Sequence, residues 1–322
     1  MNAKEAEKRV REVARLRHMA LSTEDSYVSW LRRYCGYLPK VAGELRPEKK
    51  VEAFLTWMAH EEFSASSQNQ AFSALLFFYR DCMNVDLGKV DALRARRPDH
   101  LRYCPTIEEV ETLLRNVRDL GAYPTRLVIH MLYGCGLRVS EPIALRIKDI
   151  DLQNSRLTIR CAKGQKDRVV PIPCSLIEPI RRQIAVARAV SEQDIAAGLP
   201  VQLPDRLGIK YPRLASSPHW AFLFPLKASC KHPRTGVIVR FHMLDTTVQR
   251  SCRDAVRRTE LNPMITPHCL RHAFATHTME RGGNVRDVQM VMGHSSLETT
   301  MGYLHPEIGR VKSPLEAMKV DL

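Results

Sequence analysis

Residues 266–306 read TPHCLRHAFATHTMERGGNVRDVQMVMGHSSLETTMGYLHP and hold His268, Arg271, His294 and Tyr303 in that order. A histidine and an arginine three residues apart on a helix project from the same face, so His268 and Arg271 can both reach one phosphate. The guanidinium of Arg271 is planar and permanently charged, and its shape matches a phosphate. We interpret this stretch as a site that binds and attacks a phosphate group.

A second part of this site is predicted upstream, in MLYGCGLRVSEPIALRIKDID at residues 131–151. The pattern predicts a helix that breaks at Gly134 and Gly136, with Arg138 and Glu141 at the start of a new helix. Glycine permits positive φ and close approach of the backbone, so Arg138 can be aimed at a fixed point. Arg138 is therefore a further candidate phosphate ligand.

A β-hairpin is predicted in RLTIRCAKGQKDRVVPIP at residues 156–173. Two short β-type runs, residues 156–161 and 168–172, flank a turn at Gly164. Lys163 then lies at the tip of the hairpin. A lysine in such a turn can equally serve solubility alone, so its position in a wider set of residues has to decide its role.

Together these motifs resemble the tyrosine recombinase family, also called the phage integrase family. The family pattern is an arginine with a nearby acidic residue, a hairpin lysine, His-x-x-Arg, Gly-His and a tyrosine nucleophile. This chain has matching residues in the same order, and the resemblance spans nearly its whole length. The matching residues are Arg138, Glu141, Lys163, His268, Arg271, Gly293, His294 and Tyr303.

The residue types suit cleavage of a DNA strand, which needs a nucleophile, neutralisation of the phosphate oxygens and a proton for the leaving oxygen. Tyr303 would attack and form a phosphotyrosyl ester, while Arg138 and Arg271 hold the oxygens. His294 would add a hydrogen bond and Lys163 would protonate the departing 5′ oxygen. The remaining histidine, His268, would act as base or proton relay for Tyr303.

No cofactor is expected, because the covalent ester stores the energy of the cut bond and no nucleotide hydrolysis is needed. His268, His272 and His277 lie close together in sequence and suggest a zinc site as the alternative. The chain has neither His-Glu-x-x-His nor a Cys-x-x-Cys pair among its nine cysteines. We therefore expect no metal, and interpret His272 and His277 as core or supporting residues.

Composition favours a nucleic acid as partner. The formal net charge is +14, which suits a phosphate backbone but does not by itself distinguish DNA, RNA or an anionic membrane. We see no apolar run that could span a bilayer and no secretory signal, and scattered cysteines suit a reducing compartment. A cytoplasmic protein associated with the bacterial nucleoid is expected, and the resemblance implies a homotetramer on two DNA sites.

The predicted fold class is mainly α with a small β-hairpin (α+β), in two domains. Residues 1–92 read as helices with caps at Ser22 or Thr23, and the resemblance assigns them to a SAM-like, core-binding DNA-binding domain. A basic, proline-containing linker is expected at residues 93–105, and a capping box at Thr106 and Glu109 begins the catalytic domain, residues 106–322, with a single hairpin. By resemblance the two domains form a C-shaped clamp.

An insert at about residues 200–243 resembles the additional domain of integron integrases. Such enzymes recombine gene-cassette sites, attI and attC, and attC is recognised as a folded single strand with extruded bases. Aromatic residues suit unpaired bases, which stack with little sequence demand. The candidate DNA contacts of the insert are Lys210, Trp220, Arg240, Phe241 and His242.

Phe241 departs from that resemblance, because a first histidine is expected at its position. Phenylalanine can stack but cannot hydrogen-bond a base edge, so recognition of one extruded base is expected to be altered. The alternative for Trp220, Phe224 and Phe241 is a small apolar core for the insert.

Three functions remain open on sequence alone. The first is an integron integrase, which the insert favours. The second is a Xer, phage or transposon type of tyrosine recombinase that acts on double-stranded sites. The third is a catalytically silent DNA-binding relative, against which the complete set of site residues argues.

Overall fold

The computed structural model describes residues 2–41, 43–88, 90, 103–160, 167–204 and 207–293. The chain divides into two compact units, Met1–Leu101 and Arg102–Leu322, which we call the N-terminal and the C-terminal unit. Each unit has its own hydrophobic core. The predicted class is confirmed, since both units are mostly helical and the strands form small antiparallel sheets.

The described residues of the N-terminal unit form four α-helices, the last of which continues into a π-helical turn. They are α1 (Ala3–Leu16), α2 (Leu21–Tyr37), α3 (Pro47–His60), α4 (Ala65–Leu76) and the π-turn Phe77–Cys82. A capping box between Asn2 and Glu5 begins α1. The buried carboxylate of Glu24 in α2 accepts hydrogen bonds from Arg11 at 2.8 Å and Arg15 at 3.2 Å, which fixes α1 on α2.

The predicted cap of α2 is wrong. The helix begins at Leu21 after an Ala20 N-cap that makes no side-chain hydrogen bond, so Ser22 and Thr23 lie inside the first turn. An alanine side chain cannot accept hydrogen bonds from the free N–H groups of the first turn. Packing against other helices, and not a capping side chain, therefore determines where α2 begins. Trp30 and Tyr34 of α2 are buried in the core of this unit.

The C-terminal unit alternates helices with short strands. Its α-helices are α5 (Ile107–Asn116), α6 (Thr125–Gly134), α7 (Ser140–Ile143), α8 (Cys174–Ala196), α9 (Leu207–Lys210), α10 (Asp245–Arg258), α11 (Pro267–Glu280) and α12 (Val285–Met292). Its strands are β1 (Ile150–Asp151), β2 (Arg156–Ile159), β3 (Arg168–Pro171), β4 (Cys230–Lys231) and β5 (Ile238–Val239). The predicted capping box is confirmed, with Thr106 and Glu109 each accepting a hydrogen bond from the backbone N–H of the other.

Strands β2 and β3 pair antiparallel, as the hairpin prediction requires, with Leu157 opposite Val170. The prediction of a single hairpin is wrong in two respects. Strand β1 adds a third strand beside β2, and β4 pairs with β5 in a separate sheet within the insert. Both additions are strands of two residues, which are too short to show the alternation that marks a strand in sequence.

Residues 200–243, the segment interpreted as an insert, lie between α8 and α10, and three isolated bridges tie the segment to the rest of the unit and to itself. They pair Arg146 with Phe222, Val201 with Arg240, and Pro225 with His242. Among the described residues, no helix is both long enough and apolar enough to span a bilayer.

The turn between α6 and α7 depends on Gly136. Its φ is +61°, and a Cβ at this position would overlap the ring of Phe274 in α11. The turn therefore requires glycine for its backbone conformation and also for the close approach of α11.

We expect Gly136→Ala to destabilise the C-terminal unit more than Gly121→Ala. Gly121 has a similar φ of +63° but no neighbour within 4 Å, so its variant pays only the backbone strain, about 1–2 kcal/mol. Overpacking against Phe274 should cost roughly a further 1–3 kcal/mol. Calorimetry of both full-length variants measures the difference, and equal destabilisation would contradict the packing argument.

Candidate active site

Arg138 and Glu141 form the first part of the site, at the start of α7. The carboxylate of Glu141 accepts a hydrogen bond from the backbone N–H of Arg138 at 2.8 Å and another from its guanidinium Nη1 at 2.9 Å. The side chain of Glu141 is 7% exposed and that of Arg138 is 26% exposed. Glu141 thus holds Arg138 from the protein side, and leaves it partly open to solvent.

Arg271 of α11 reaches the same carboxylate from another direction. Its Nη1 lies 3.7 Å from Oε2 of Glu141 and donates to the carbonyl oxygen of Gly136 at 2.6 Å. Its Nη2 donates to the carbonyl oxygen of Met292. The two predicted phosphate ligands, Arg138 and Arg271, are therefore brought together around Glu141, although 133 positions separate them in sequence.

Arg168 is a third arginine on Glu141, and no site role was predicted for it from the sequence. Its Nη1 and Nη2 donate to Oε1 and Oε2 of Glu141 at 2.9 and 2.6 Å, and its Nε donates to the carbonyl oxygen of Val291 at 2.6 Å. We call Arg138, Arg168 and Arg271 the arginine cluster. A sequence signal for Arg168 exists, because it shares a strand face with the buried residues Val170 and Ile172.

The arginine cluster controls the ionisation of Glu141. Burial by itself raises the pKa of this carboxyl group, but the hydrogen bond and charge of Arg168 lower it, as do the backbone N–H of Arg138 and the charge of Arg271. The net effect is a pKa below the ordinary value of 4.5. Glu141 is thus a carboxylate at neutral pH.

The end of α12 lies against this cluster. Gly293 ends the helix in the left-handed conformation, with φ +63°, and a Cβ there would lie 2.9 Å from Cδ of Arg168. Glycine is therefore required at this point by both its φ and its surroundings. Lys163, His294 and Tyr303 lie outside the described residues.

His268 lies in the first turn of α11, three residues before Arg271, as predicted. Its side chain is exposed and borders an open groove of about 580 Å³ between α10 and the start of α11. Val139, the neighbour of Arg138, lines the same groove. The structure thus places the exposed His268 on the side of α11 that carries the buried Arg271.

The other two histidines of α11 are core residues, as predicted. His272 and His277 are 4% and 5% exposed. Nδ1 of His277 lies 3.0 Å from the hydroxyl of Tyr133, and burial lowers its pKa. In the part of the chain that the structure describes, no three His, Cys, Asp or Glu side chains are arranged to hold a metal ion.

The insert is fastened to the C-terminal unit by Arg146, a buried residue that sequence reasoning missed. Its guanidinium donates to the carbonyl oxygens of Gln202 at 2.6 Å and Trp220 at 2.5 Å, and packs 4.2 Å from the ring centroid of Phe222. Burial lowers the pKa of Arg146 to about 10, so it remains charged at neutral pH. The ring of Trp220 is half-buried, with Nζ of Lys148 4.2 Å from its centroid.

Phe241 and His242 form a small aromatic group with Phe222. The rings of Phe241 and His242 are 4.0 Å apart between centroids, and Phe222 meets both edge-on at 5.5 and 5.0 Å. Nδ1 of His242 lies 2.7 Å from the carbonyl oxygen of Met243, and burial lowers the pKa of the ring. His242 is therefore neutral at pH 7.

Arg240 and Lys210 differ in their surroundings. Arg240 makes a bidentate pair with Asp194 of α8 at 2.8 and 2.5 Å, and also donates to the carbonyl oxygens of Leu226 and Lys227. Much of its hydrogen-bonding capacity thus ties the insert to α8 and connects two segments of the insert. Lys210 is exposed, with Nζ 5.4 Å from the ring centroid of Tyr211. Contact of either residue with DNA stays a prediction.

Comparison with known proteins identifies the class. Residues 106–309 match the model of the phage integrase family, and residues 8–89 match a phage integrase N-terminal SAM-like domain. An integrase/recombinase of Escherichia coli is 38% identical over 314 residues, covering 96% of this chain and 92% of the relative. Tyrosine recombinase XerA of Thermococcus onnurineus is 30% identical over 91% of this chain and 88% of the relative.

Solved structures share the fold. The Tn1549 transposon integrase in complex with transposon right end DNA has a TM-score of 0.62 at 18% identity, over 98% of this chain and 99% of that one. The XerH recombinase bound to difH substrate has a TM-score of 0.62 at 20% identity, over 98% and 83% of the two chains. The chain belongs to the phage integrase family, and as an enzyme it is a tyrosine site-specific recombinase.

We expect Glu141→Gln to lower the unfolding free energy of the C-terminal unit at pH 7 by about 3 kcal/mol or more, because it removes the anion among three buried or half-buried arginines. The folded-state pKa of Glu141 lies below 4.5, so its stabilisation is present above that pH and is lost as pH falls through the folded pKa. The difference in unfolding free energy between the wild type and Glu141→Gln should therefore decrease in acid.

Calorimetry of the full chain from pH 7 to acid checks this expectation. Glu111→Gln is the matched control, because Glu111 pairs with Arg115 on an exposed face of α5 at 3.0 Å. Its loss should stay within about 1 kcal/mol at pH 7. If the difference in unfolding free energy between the wild type and Glu141→Gln stays constant into acid, the carboxylate charge is not what stabilises the site.

Proposed function

We propose that this recombinase cleaves and rejoins DNA strands through a 3′-phosphotyrosyl intermediate, with Tyr303 as nucleophile. Attack by the Tyr303 oxygen on the scissile phosphorus forms the ester and breaks the bond to the 5′ oxygen. Arg138, Arg271 and His294 would contact the non-bridging oxygens, Lys163 would protonate the 5′ oxygen, and His268 would take the tyrosine proton. The reaction then reverses with a new 5′ hydroxyl, without nucleotide hydrolysis.

The observation that carries this proposal is the shared carboxylate between Arg138 and Arg271. Three arginines against one carboxylate leave two excess positive charges in the described site. A phosphodiester gains a second negative charge as an anionic oxygen attacks it, so the excess charge matches the transition state better than the substrate. Arg138 is the most exposed member of the set, with 26% of its side chain accessible, whereas the side chain of Arg271 is 3% exposed.

Within the family, we assign the chain to the integron integrases, which insert and excise gene cassettes at attI and attC sites. The support is the insert at about residues 200–243. In this insert Trp220 is half-buried, and Nζ of Lys148 lies 4.2 Å from the centroid of its ring. An aromatic ring beside a cation is suited to an extruded base and its neighbouring phosphate. A folded single-stranded attC hairpin supplies such bases, whereas a fully paired duplex does not.

His242 narrows the contact that the insert can make. Because a carbonyl oxygen only accepts, the bond to Met243 requires the proton on Nδ1, and a neutral ring then has an acceptor at Nε2. An acceptor suits the exocyclic amino group of adenine, cytosine or guanine, and does not suit a phosphate oxygen. Phe241, in place of a histidine, would supply stacking or packing only.

A second candidate is a recombinase of Xer, phage or transposon type that acts on double-stranded sites. The specific observation in its favour is the similarity to tyrosine recombinase XerA over 91% of this chain. Under this candidate the insert packs against its own unit and reads no extruded base. A catalytically silent DNA-binding relative is the third possibility, and the cleavage test below decides it.

The proposed reaction also implies partners and place. By its likeness to the family, a homotetramer on two DNA sites is the assembly that we infer. The basic balance of the chain, +14, suits long contact with a phosphate backbone. Cassette recombination would occur in the bacterial cytoplasm, at the nucleoid.

Tyr303→Phe should abolish strand cleavage and leave DNA binding almost intact, because it removes only the nucleophilic oxygen. A suicide substrate nicked near the scissile phosphate should trap the wild type as a covalent complex. Tyr123→Phe, which removes a hydroxyl elsewhere in the C-terminal unit, should trap DNA like the wild type. Covalent trapping by Tyr303→Phe would exclude Tyr303 as the nucleophile, and no trapping by the wild type would support a silent relative.

Trp220→Ala should weaken binding to a folded hairpin site by roughly 1–3 kcal/mol, the usual loss of one stacked base, and barely affect a fully paired duplex. Titrations of both DNAs at one fixed salt concentration measure the two losses. Phe222→Leu is the control for packing, because Phe222 is buried in the same insert at 6% exposure.

One other outcome of this titration would favour the double-stranded candidate. If Trp220→Ala weakens both DNAs alike and lowers the melting temperature as Phe222→Leu does, Trp220 only fills the insert. In that case the double-stranded candidate replaces the integron assignment, while the tyrosine chemistry is unaffected.

A further inference from the structure

Arg168 has contacts that link three parts of the site, although the proposed chemistry gives it no role. It is the first residue of β3, and its side chain is 8% exposed. Its fork binds both oxygens of Glu141, and its Nε binds the carbonyl oxygen of Val291 near the end of α12. One side chain therefore connects β3, the start of α7 and the end of α12.

The fork of Arg168 determines how Glu141 can bind Arg138. A carboxylate can accept a guanidinium by two parallel bonds, but Arg168 already makes that bidentate contact. Arg138 is bound through its backbone N–H and the single nitrogen Nη1. Within residues 103–160, 167–204 and 207–293, no hydrogen bond engages Nη2 of Arg138, so this nitrogen remains for a ligand.

Arg168 and Arg271 share the end of α12. Arg168 binds the carbonyl oxygen of Val291, and Arg271 binds that of Met292, so cations hold two of the last carbonyl groups of the helix. Positive charge at a helix carboxyl end is favourable, because those carbonyls carry partial negative charge. Gly293 then turns with its backbone close to Cδ of Arg168, and His294 follows directly in sequence.

We propose that Arg168 is a positioning residue for strand cleavage. It holds Glu141 so that Arg138 and Arg271 face the scissile phosphate, and it fixes the end of α12 from which the chain continues to His294. In this role it acts through Glu141 and the end of α12. The inference rests on the proposed function, because the scissile phosphate is the group that the positioned arginines bind.

Arg168→Ala should slow covalent complex formation on a nicked substrate by about 10²-fold, the loss that a misplacement of about 1 Å can cause. Arg168→Lys should lose part of this rate, because an ammonium group cannot bind both oxygens of Glu141 as a fork. Arg168→Lys can also be assayed if Arg168→Ala unfolds below the assay temperature. Arg156→Ala, which removes an exposed arginine from β2, is the charge-matched control and should cleave like the wild type.

A substrate with a methylphosphonate at the scissile position separates positioning from simple destabilisation. The methyl group replaces a charged non-bridging oxygen, so the scissile group carries less negative charge for Arg138 and Arg271 to neutralise. The difference in the rate of covalent complex formation between Arg168→Ala and the wild type should therefore be smaller on this substrate. An equal rate difference on both substrates, or cleavage at the wild-type rate by Arg168→Ala, would overturn the proposal.

Hydrogen exchange supplies a readout that does not depend on cleavage. Arg168→Ala should speed exchange in peptides that cover the end of α12 and the start of α7, and Arg156→Ala should not. Unchanged exchange at both places would refute the positioning role. If the wild type forms no covalent complex, the proposed function fails, and the exchange result still decides whether Arg168 fixes these two segments.

Discussion

The site depends on one buried carboxylate, that of Glu141. Removing a carboxylate from water is costly, and the charge is tolerable only because Arg168 binds both oxygens, Arg138 binds from α7 and Arg271 lies 3.7 Å away. Each of these arginines comes from a different part of the sequence, so the carboxylate also sets their mutual positions. The remaining positive charge is then available where a phosphate would bind. A pair of arginines without Glu141 would repel each other and spread apart.

Local features of the fold were predictable because their cause lies within a few residues. The capping box at Thr106 and Glu109, and the break of α6 at Gly134, follow from side chains and glycines next to each other. The pairing of β2 with β3 follows from two runs around a turn. The start of α2 was wrong because Ala20 makes no cap, and only packing against other helices defines that end.

The site was predictable only in part, for a related reason. Arg138, His268 and Arg271 stand in recognisable motifs, so resemblance identified them. Arg168 was missed because its partners are 27 and 123 residues away, and Arg146 because its partners are 56 and 74 residues away. No short pattern encodes such pairs, although an arginine in the buried register of β3 was a signal that its charge must be compensated.

The insert follows the same physical logic as the site, since a buried arginine fixes it. The apolar cluster at its junction is small, with Ile147, Ala187 and Ala221 as its buried members. Arg146 adds hydrogen bonds to backbone carbonyls, including that of Trp220, and its guanidinium also lies 5.9 Å from the centroid of the indole ring. The indole ring of the half-buried Trp220 also has Nζ of Lys148 4.2 Å from its centroid, so the cations of Arg146 and Lys148 both lie near this ring. The same arginine that holds the backbone of the insert therefore also contributes to the surroundings of its central aromatic residue.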